Sequence, residues 1–174
     1  MSASKGAGRV KVLAEAAVLI ALATVLSMFK VYRMPQGGSV TPGSMVPIIV
    51  FALRRGVGYG FAAGALYGLV RLYLGPYVVH PVQLLLDYPL AFGALGLAGL
   101  LKKRPVAATA LGIFGRFLCH WLSGLIFFAE YAPAGQHPAL YSAIYNGSYL
   151  GAELVISATL VYLLARSGAL KVFL

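Results

Sequence analysis

The chain has 174 residues, of which 60% are hydrophobic and only 10% are charged, and its formal net charge is +10. A typical soluble domain is roughly 45–50% apolar and about 25% charged, so this chain has too few charges to coat a water-facing globule of its size. Disorder is excluded because disordered chains are poor in apolar residues. A nucleic-acid-binding protein needs a basic face on a soluble fold, whereas the basic residues here lie between apolar runs.

Six apolar segments predict an all-α integral membrane protein with six transmembrane helices in one domain, residues 1–174. A bilayer-spanning helix needs about 20 predominantly apolar residues. The second segment contains Pro42, Gly43 and Pro47, and it is too short to span a bilayer alone. It therefore predicts a short second helix, preceded by a loop that is buried in protein or lines a cavity. The predicted spans are approximately 10–30, 41–53, 57–73, 82–101, 105–128 and 140–165.

Basic residues fall unequally on the two sides of these spans, and the positive-inside rule then places both termini in the cytoplasm. The outer side has only Lys30, Arg33 and Arg71, and Arg116 lies within the fifth span. The default expectation for the inner basic pairs is contact with anionic lipid. The inner basic residues are Lys5, Arg9, Lys11, Arg54, Arg55, Lys102, Lys103, Arg104, Arg166 and Lys171.

Polar residues near the outer ends of the later spans predict a ligand pocket that opens to the outside. Ionisable groups within spans are costly and usually face the bundle interior or a wet cavity. By topology Asp87, His120, Tyr141 and Asn146 fall in the outer half. They offer one carboxylate, one imidazole, one amide and a phenol. Without a basic cluster, this set disfavours a phosphorylated ligand and favours a flat, nitrogen-rich cation.

Two further residues are expected near mid-depth of the membrane. We expect Arg116 to pair with Glu153, because both lie near mid-depth on consecutive helices.

The sequence leaves two other functional classes open. A stand-alone carrier for another cationic heterocycle, driven by protons through His120 and Glu153, is one alternative. A small intramembrane enzyme that uses His120 with Asp87 or Glu153 is a weaker one, because the chain has no paired acidic motif, no metal-ligand spacing and no Gly-x-Ser-x-Gly motif. We therefore expect no catalysis, no cofactor and no metal.

Several segments between Glu15 and about Asn146 match the pattern of one known family. The matching segments are Met34-Pro35-Gln36-Gly37-Gly38-Ser39-Val40-Thr41, Gly43-Ser44-Met45-Val46-Pro47-Ile48, Leu53-Arg54-Arg55-Gly56, His80-Pro81-Val82-Gln83-Leu84-Leu85-Leu86-Asp87-Tyr88, Ala91-Phe92, His120, Ser123-Gly124, Phe127-Phe128, Tyr131-Ala132-Pro133, Tyr141-Ser142 and Tyr145-Asn146. With these segments the chain resembles the thiamine-specific substrate-binding component (ThiT type) of energy-coupling factor transporters.

The resemblance implies a six-helix protein of the bacterial cell membrane that binds thiamine near the outer surface, under the loop after helix one. It implies delivery with a transmembrane scaffold subunit and two ATP-binding-cassette ATPases. Ala17 and Ala21 match the helix-one surface that faces the scaffold, and their small-xxx-small spacing allows close helix approach. Carried over by motif, the pocket residues are Asp87, Tyr88, His120, Gly124, Phe128, Tyr141, Asn146 and Tyr77.

This chain departs from the family pattern at three pocket positions. Some members have Glu where Asp87 stands, and some have Trp where Phe128 stands, so the carboxylate is shorter and the stacking surface smaller here. Some place a Trp near Gly38, where this chain has no aromatic residue. Tyr32 and Tyr77 are our candidates to cover the thiazolium ring. Trp121 lies about 100° around the helix from His120, so we expect it to face lipid or another helix.

Overall fold

The computed structural model describes the backbone of residues 2–170 and the side chains of residues 8–170. It confirms an all-α architecture, with one small hairpin. Four of the described helices are long and apolar enough to cross a membrane, and they are Gly8–Met28, Pro81–Leu100, Pro105–Phe127 and Pro138–Arg166. Lys5 and Lys171, which contribute to the predicted charge asymmetry, lie outside the described side chains. The helices are α1 (Ser2–Met28), α2 (Val46–Arg55), α3 (Val57–Leu72), α4 (Pro81–Leu100), α5 (Pro105–Phe127) and α6 (Pro138–Arg166).

Helix α2 is the centre of the bundle and confirms the predicted short second helix. Every residue from Val46 to Leu53 is buried, and α2 contacts each of the five other helices. The irregular segment before it is also buried at Thr41, Gly43 and Met45. Such backbone is tolerated at membrane depth only inside protein or against a cavity.

The inner end of α2 is tied to α1 by ion pairs, which corrects the expectation that its two arginines face lipid. The Glu15 carboxylate contacts the Arg54 guanidinium at 2.5 Å and the Arg55 guanidinium at 2.5 Å. All three side chains are largely shielded from solvent. These pairs fix α1, most of whose surface is exposed, against the core.

Helix α4 is irregular along its whole length. It begins as an α-helix (Pro81–Leu85), widens into a π-helical turn (Leu86–Leu90), and ends as a 3₁₀-helix (Ala94–Leu100) after a short α-helical stretch. Pro89 lies inside the π-helical turn and has no N–H to continue the α-helical hydrogen-bond ladder. π-turns are frequent at functional sites, and this one carries Asp87.

Glycines let α3 approach the backbone of α4. A Cβ at Gly64 would lie 2.2 Å from the Phe92 carbonyl oxygen, and a Cβ at Gly68 would lie 2.4 Å from that of Tyr88. Both glycines are on one face of α3, four residues apart, so an added side chain at either would push the helices apart. This close contact sets the position of the π-helical turn.

A lid covers the outer end of the bundle, and we define it as residues 31–41. It contains β1 (Tyr32–Arg33) and β2 (Ser39–Val40), which pair antiparallel with Tyr32 opposite Val40. Gly37 has φ +92° in the turn, a conformation that favours glycine. The lid lies against α6, as the site geometry shows.

Candidate functional site

A cavity lies between the lid, the α3–α4 loop and the outer halves of α4, α5 and α6. Its empty volume is about 860 Å³, including open solvent at the mouth. The structure brings all eight sequence-predicted pocket residues into its wall. They are Tyr77, Asp87, Tyr88, His120, Gly124, Phe128, Tyr141 and Asn146.

Asp87 is the hub of the pocket floor. Its Oδ2 accepts hydrogen bonds from Gln83 Nε2 at 2.6 Å and from Ser123 Oγ at 2.9 Å, and its Oδ1 lies 2.9 Å from His120 Nδ1. These partners come from both α4 and α5. They compensate the desolvation of a carboxylate at membrane depth and hold it in one orientation.

His120 connects Asp87 to Arg116. The Arg116 Nε donates to His120 Nε2 over 3.2 Å. Because a guanidinium can only donate, Nε2 must carry the lone pair, and Nδ1 then donates to Asp87. Both ring nitrogens are therefore occupied by protein, and the imidazole contributes its ring to the cavity wall.

Gln83 links the floor to the aromatic wall, although the sequence analysis gave it no role. It is 1% exposed. Its Nε2 donates to the Tyr77 carbonyl at 3.0 Å as well as to Asp87, and its Oε1 accepts from the Val79 N–H at 3.1 Å. The available signal was its spacing, four residues before Asp87 on the same helical face.

Aromatic rings line the side walls. Tyr77 and Phe128 have ring centroids 5.8 Å apart, and Tyr141 and Tyr145 have centroids 6.1 Å apart. The Tyr88 hydroxyl accepts from the Tyr77 N–H at 2.8 Å, which holds the α3–α4 loop in place. Tyr77, one of the two candidates to cover a ring, lies in the wall, whereas Tyr32 is 60% exposed and is not in it.

Asn146 is held where α5 and α6 meet. Its Nδ2 donates to the carbonyl oxygens of Ser142 at 3.0 Å and His120 at 3.2 Å, and its Oδ1 accepts from the Tyr149 hydroxyl at 3.1 Å. Gly124 allows this approach, because a Cβ there would lie 2.2 Å from Ser142 Oγ. The amide is therefore fixed with its oxygen towards Tyr149.

Three cationic side chains line the cavity, so the expectation that it has no basic cluster is wrong. They are Lys30, Arg71 and Arg116. Lys30 lies just before the lid, and partial burial, with repulsion from Arg71 and Arg33, lowers its pKa from the ordinary value. This group of cationic side chains was not predicted, because Lys30 and Arg71 lie in separate segments of the sequence and come together only in the fold.

The predicted Arg116–Glu153 ion pair is also wrong. Within the described residues, Arg116 instead contacts His120, the Met45 sulfur at 2.8 Å, and the face of the Phe92 ring at 4.1 Å. Glu153 accepts hydrogen bonds from Thr41. The positions of the two residues along their helices do not determine the direction in which each side chain points.

The remaining predicted positions lie outside the cavity. Ala17 and Ala21 are exposed on α1. Trp121 packs against the start of α6, where its Nε1 donates to the Ala139 carbonyl at 3.0 Å, as expected for contact with another helix. No group of three metal-ligating side chains occurs in the described part of the chain.

Comparison with known proteins gives consistent matches over nearly the whole chain. The family model described as "Thiamine transporter protein (Thia_YuaJ)" matches residues 13–172. The thiamine transporter ThiT of Bacillus subtilis (strain 168) is 36% identical over 171 residues, covering 87% of this chain and 88% of that protein. The ThiT of Lacticaseibacillus paracasei is 32% identical over 123 residues, covering 59% of this chain and 61% of that one.

A solved structure shares the fold. The structure of ThiT from Listeria monocytogenes superposes with a TM-score of 0.85 at 26% sequence identity, covering 95% of this chain and 98% of that one. The similarity of fold therefore extends over nearly the whole chain.

Proposed function

Because the chain belongs to the thiamine transporter protein family, we propose that it binds thiamine in the cavity under the lid and delivers it as the substrate-binding component of an energy-coupling factor transporter. The observation that carries the proposal is Asp87, a carboxylate oriented by three protein donors in a cavity whose side walls are aromatic. The family is a transporter component and not an enzyme.

The pocket chemistry matches the two rings of thiamine. Among the described lining residues, Asp87 is the only acidic one, and it offsets the positive charge of the thiazolium or accepts from the pyrimidine amino group. We propose that Phe128, Tyr77 and Tyr141 contact the ring faces, since aromatic faces attract cations. Asn146 and Tyr88 supply polar atoms at the ring edges.

His120 has a supporting role in this proposal. Its ring forms part of the wall, while its nitrogens are used by Asp87 and Arg116. We infer that it keeps the carboxylate of Asp87 oriented. Gly124 contributes by its lack of a side chain, since it lets α6 present Asn146 to the cavity.

We propose that α1 docks the energising module. Ala17 and Ala21 are exposed, four residues apart, and lie beside the exposed Leu22. Small residues at this spacing allow another membrane helix to approach closely. The expected partners are a transmembrane scaffold subunit and two ABC ATPases, because this chain has no phosphate-cradling loop of its own.

We place the protein in the cell membrane of a bacterium, with both termini in the cytoplasm and the cavity facing outwards. The support is the distribution of basic residues and the bacterial origin of the relatives. Membrane lipid is then the remaining partner of the exposed apolar surface.

Thiamine titration of the purified protein tests the proposal, followed by intrinsic fluorescence and calorimetry. We expect tight, saturable binding that Asp87→Asn weakens roughly 10- to 100-fold, because a hydrogen bond to a charged group contributes about 1.5–3 kcal/mol. His120→Ala should weaken it at least about fivefold, equivalent to about 1 kcal/mol. Glu130→Gln, at an exposed acid in the outer loop, is the matched control. Failure of the folded wild-type protein to bind thiamine would overturn the substrate assignment.

Uptake measurements in cells separate this proposal from a stand-alone carrier. Uptake should require co-expression of the scaffold and ATPases, and leucine substitution at both Ala17 and Ala21 should abolish uptake while leaving binding intact. Uptake by this chain alone would favour the carrier.

A further inference from the structure

Glu153 is a buried acid that lies outside the cavity wall. It is in the middle of α6, its exposed fraction is 2%, and it is absent from the pocket lining. Burying a carboxylate in a membrane bundle is costly unless it is hydrogen-bonded. The buried carboxylate of Glu153 therefore needs hydrogen-bond donors that offset the cost of its desolvation.

Both hydrogen bonds of Glu153 go to one residue of the lid. Its Oε1 accepts from the Thr41 N–H at 2.6 Å and from the Thr41 hydroxyl at 2.7 Å. Its Oε2 has no hydrogen-bond partner among the described residues, and Arg116 and Arg71 act on it only through longer-range attraction. The Thr41 hydroxyl has one proton, which it donates to Glu153. In the 2.8 Å hydrogen bond between the Ser44 and Thr41 hydroxyls, Ser44 is therefore the donor.

Thr41 is the point where the lid joins the core. It follows β2 directly, and the buried turn at Ser44 leads from it into α2. Fixing both the backbone and the side chain of Thr41 therefore fixes the inner end of the lid.

Two other side chains on the same face of α6 hold the rest of the lid. Tyr145, Tyr149 and Glu153 are four residues apart. The Tyr145 hydroxyl accepts from the N–H groups of Gln36 at 3.2 Å and Gly38 at 3.4 Å. A Cβ at Gly38 would lie 2.8 Å from the Tyr149 ring, so the lid backbone rests directly on that ring.

We propose that Glu153 is a positioning residue that anchors the lid over the cavity through Thr41, without touching the ligand. The proposal rests on the proposed thiamine site for its effect on binding, but the anchoring itself is a property of the ligand-free protein. Loss of the anchor should release the lid, so the ligand should leave faster while the pocket floor stays formed.

The experiment combines hydrogen exchange with thiamine dissociation kinetics on the full chain in nanodiscs. Glu153→Ala removes the acceptor, Glu153→Gln retains an oxygen for Thr41, and Thr41→Val removes only the hydroxyl contact. Ser157→Ala is the matched control, because Ser157 is buried one turn further along α6 and its hydroxyl has no partner among the described residues. Amide exchange is followed in peptides that cover residues 31–45 and in peptides from α3 and α5.

We expect Glu153→Ala to raise exchange at least tenfold across residues 36–41, with α3 and α5 unchanged. Thiamine dissociation should accelerate at least tenfold, with a smaller change in the association rate. Glu153→Gln should restore most of the protection, Thr41→Val should give a partial effect, and Ser157→Ala should behave like the wild type. If Glu153→Ala does not fold, Thr41→Val must still give selective lid exchange.

Unchanged lid exchange in Glu153→Ala or Thr41→Val would overturn the proposal. So would exchange that rises equally in the lid, α3 and α5, because that pattern is general destabilisation. If the wild-type protein does not bind thiamine, the proposed function fails, while exchange in the ligand-free protein still decides whether Glu153 anchors the lid.

Discussion

The floor of the cavity and its lid are held in different ways. The floor consists of side chains from two helices that bond to one another, with Asp87 at 2.6–2.9 Å from its partners. The lid is a connecting segment held against one helix. Two of its N–H groups donate longer bonds to the Tyr145 hydroxyl, and the N–H and hydroxyl of Thr41 donate short bonds to Glu153. The floor is therefore organised before the ligand arrives. We infer that it sets which ligand binds, and that the lid sets how fast the ligand leaves.

The largest effect in the floor is expected from Gln83→Leu. Leucine fills nearly the same volume but cannot bond, so Asp87 loses its shortest partner, and the Val79 N–H and the Tyr77 carbonyl are left without theirs. The lost hydrogen bond to the Asp87 carboxylate alone contributes about 1.5–3 kcal/mol. We expect thiamine affinity to fall roughly 10- to 100-fold, measured by calorimetry.

Gln136→Leu is the control for that substitution, because it makes the same chemical change in the outer loop, away from the cavity. Binding by the control should match the wild type. Wild-type affinity in Gln83→Leu would mean that Asp87 does not depend on its α4 partner. The inference that hydrogen bonds within the floor set which ligand binds would then lose its main support.

Composition and apolar segments predicted the overall architecture, and the predicted topology placed four of the eight pocket residues near the outer side. The other four followed only from the resemblance to the family, and they are Tyr77, Tyr88, Gly124 and Phe128. Long apolar runs require membrane helices, and outer polar residues such as Asp87 and Asn146 have few other places to lie. The short α2 was also predictable, since Pro42 and Pro47 interrupt its segment. That these eight residues contact a ligand stays a prediction.

What the sequence did not predict are the contacts between distant segments. Glu15 and Arg55 are 40 residues apart, and Glu153 and Thr41 are 112 apart, so no periodicity relates them. The irregular course of α4 was missed because Pro89 signals a break but not a π-turn. Helical spacing tells which residues share a face, whereas the crossing of the helices decides what each face meets.

A smaller effect is expected from Ser123→Ala. This change removes one of the three donors to Asp87 and leaves Gln83 and His120 in place. A hydrogen bond to a charged group contributes about 1.5–3 kcal/mol, but Gln83 and His120 still hold the carboxylate, so affinity should fall only roughly two- to tenfold. Ser148→Ala, at an exposed hydroxyl on α6 that bonds within its own helix, is the control. If Ser123→Ala lowers thiamine affinity as much as Gln83→Leu does, binding requires all three donors to hold the Asp87 carboxylate.

The smallest effect is expected from Tyr145→Phe, which tests the lid with the least disturbance. The change deletes only the hydroxyl that accepts from Gln36 and Gly38 at 3.2 and 3.4 Å, and bonds of this length are weaker than those of the floor. Thiamine affinity should fall less than about threefold, which corresponds to less than about 0.7 kcal/mol, and the change should appear in the dissociation rate measured by stopped flow. Tyr162→Phe, at a half-exposed tyrosine on the same helix, is the control. If Tyr145→Phe weakens binding more than Ser123→Ala, the lid contributes to ligand recognition as well as to ligand retention. The Tyr145 hydroxyl would then contact the ligand in addition to the lid.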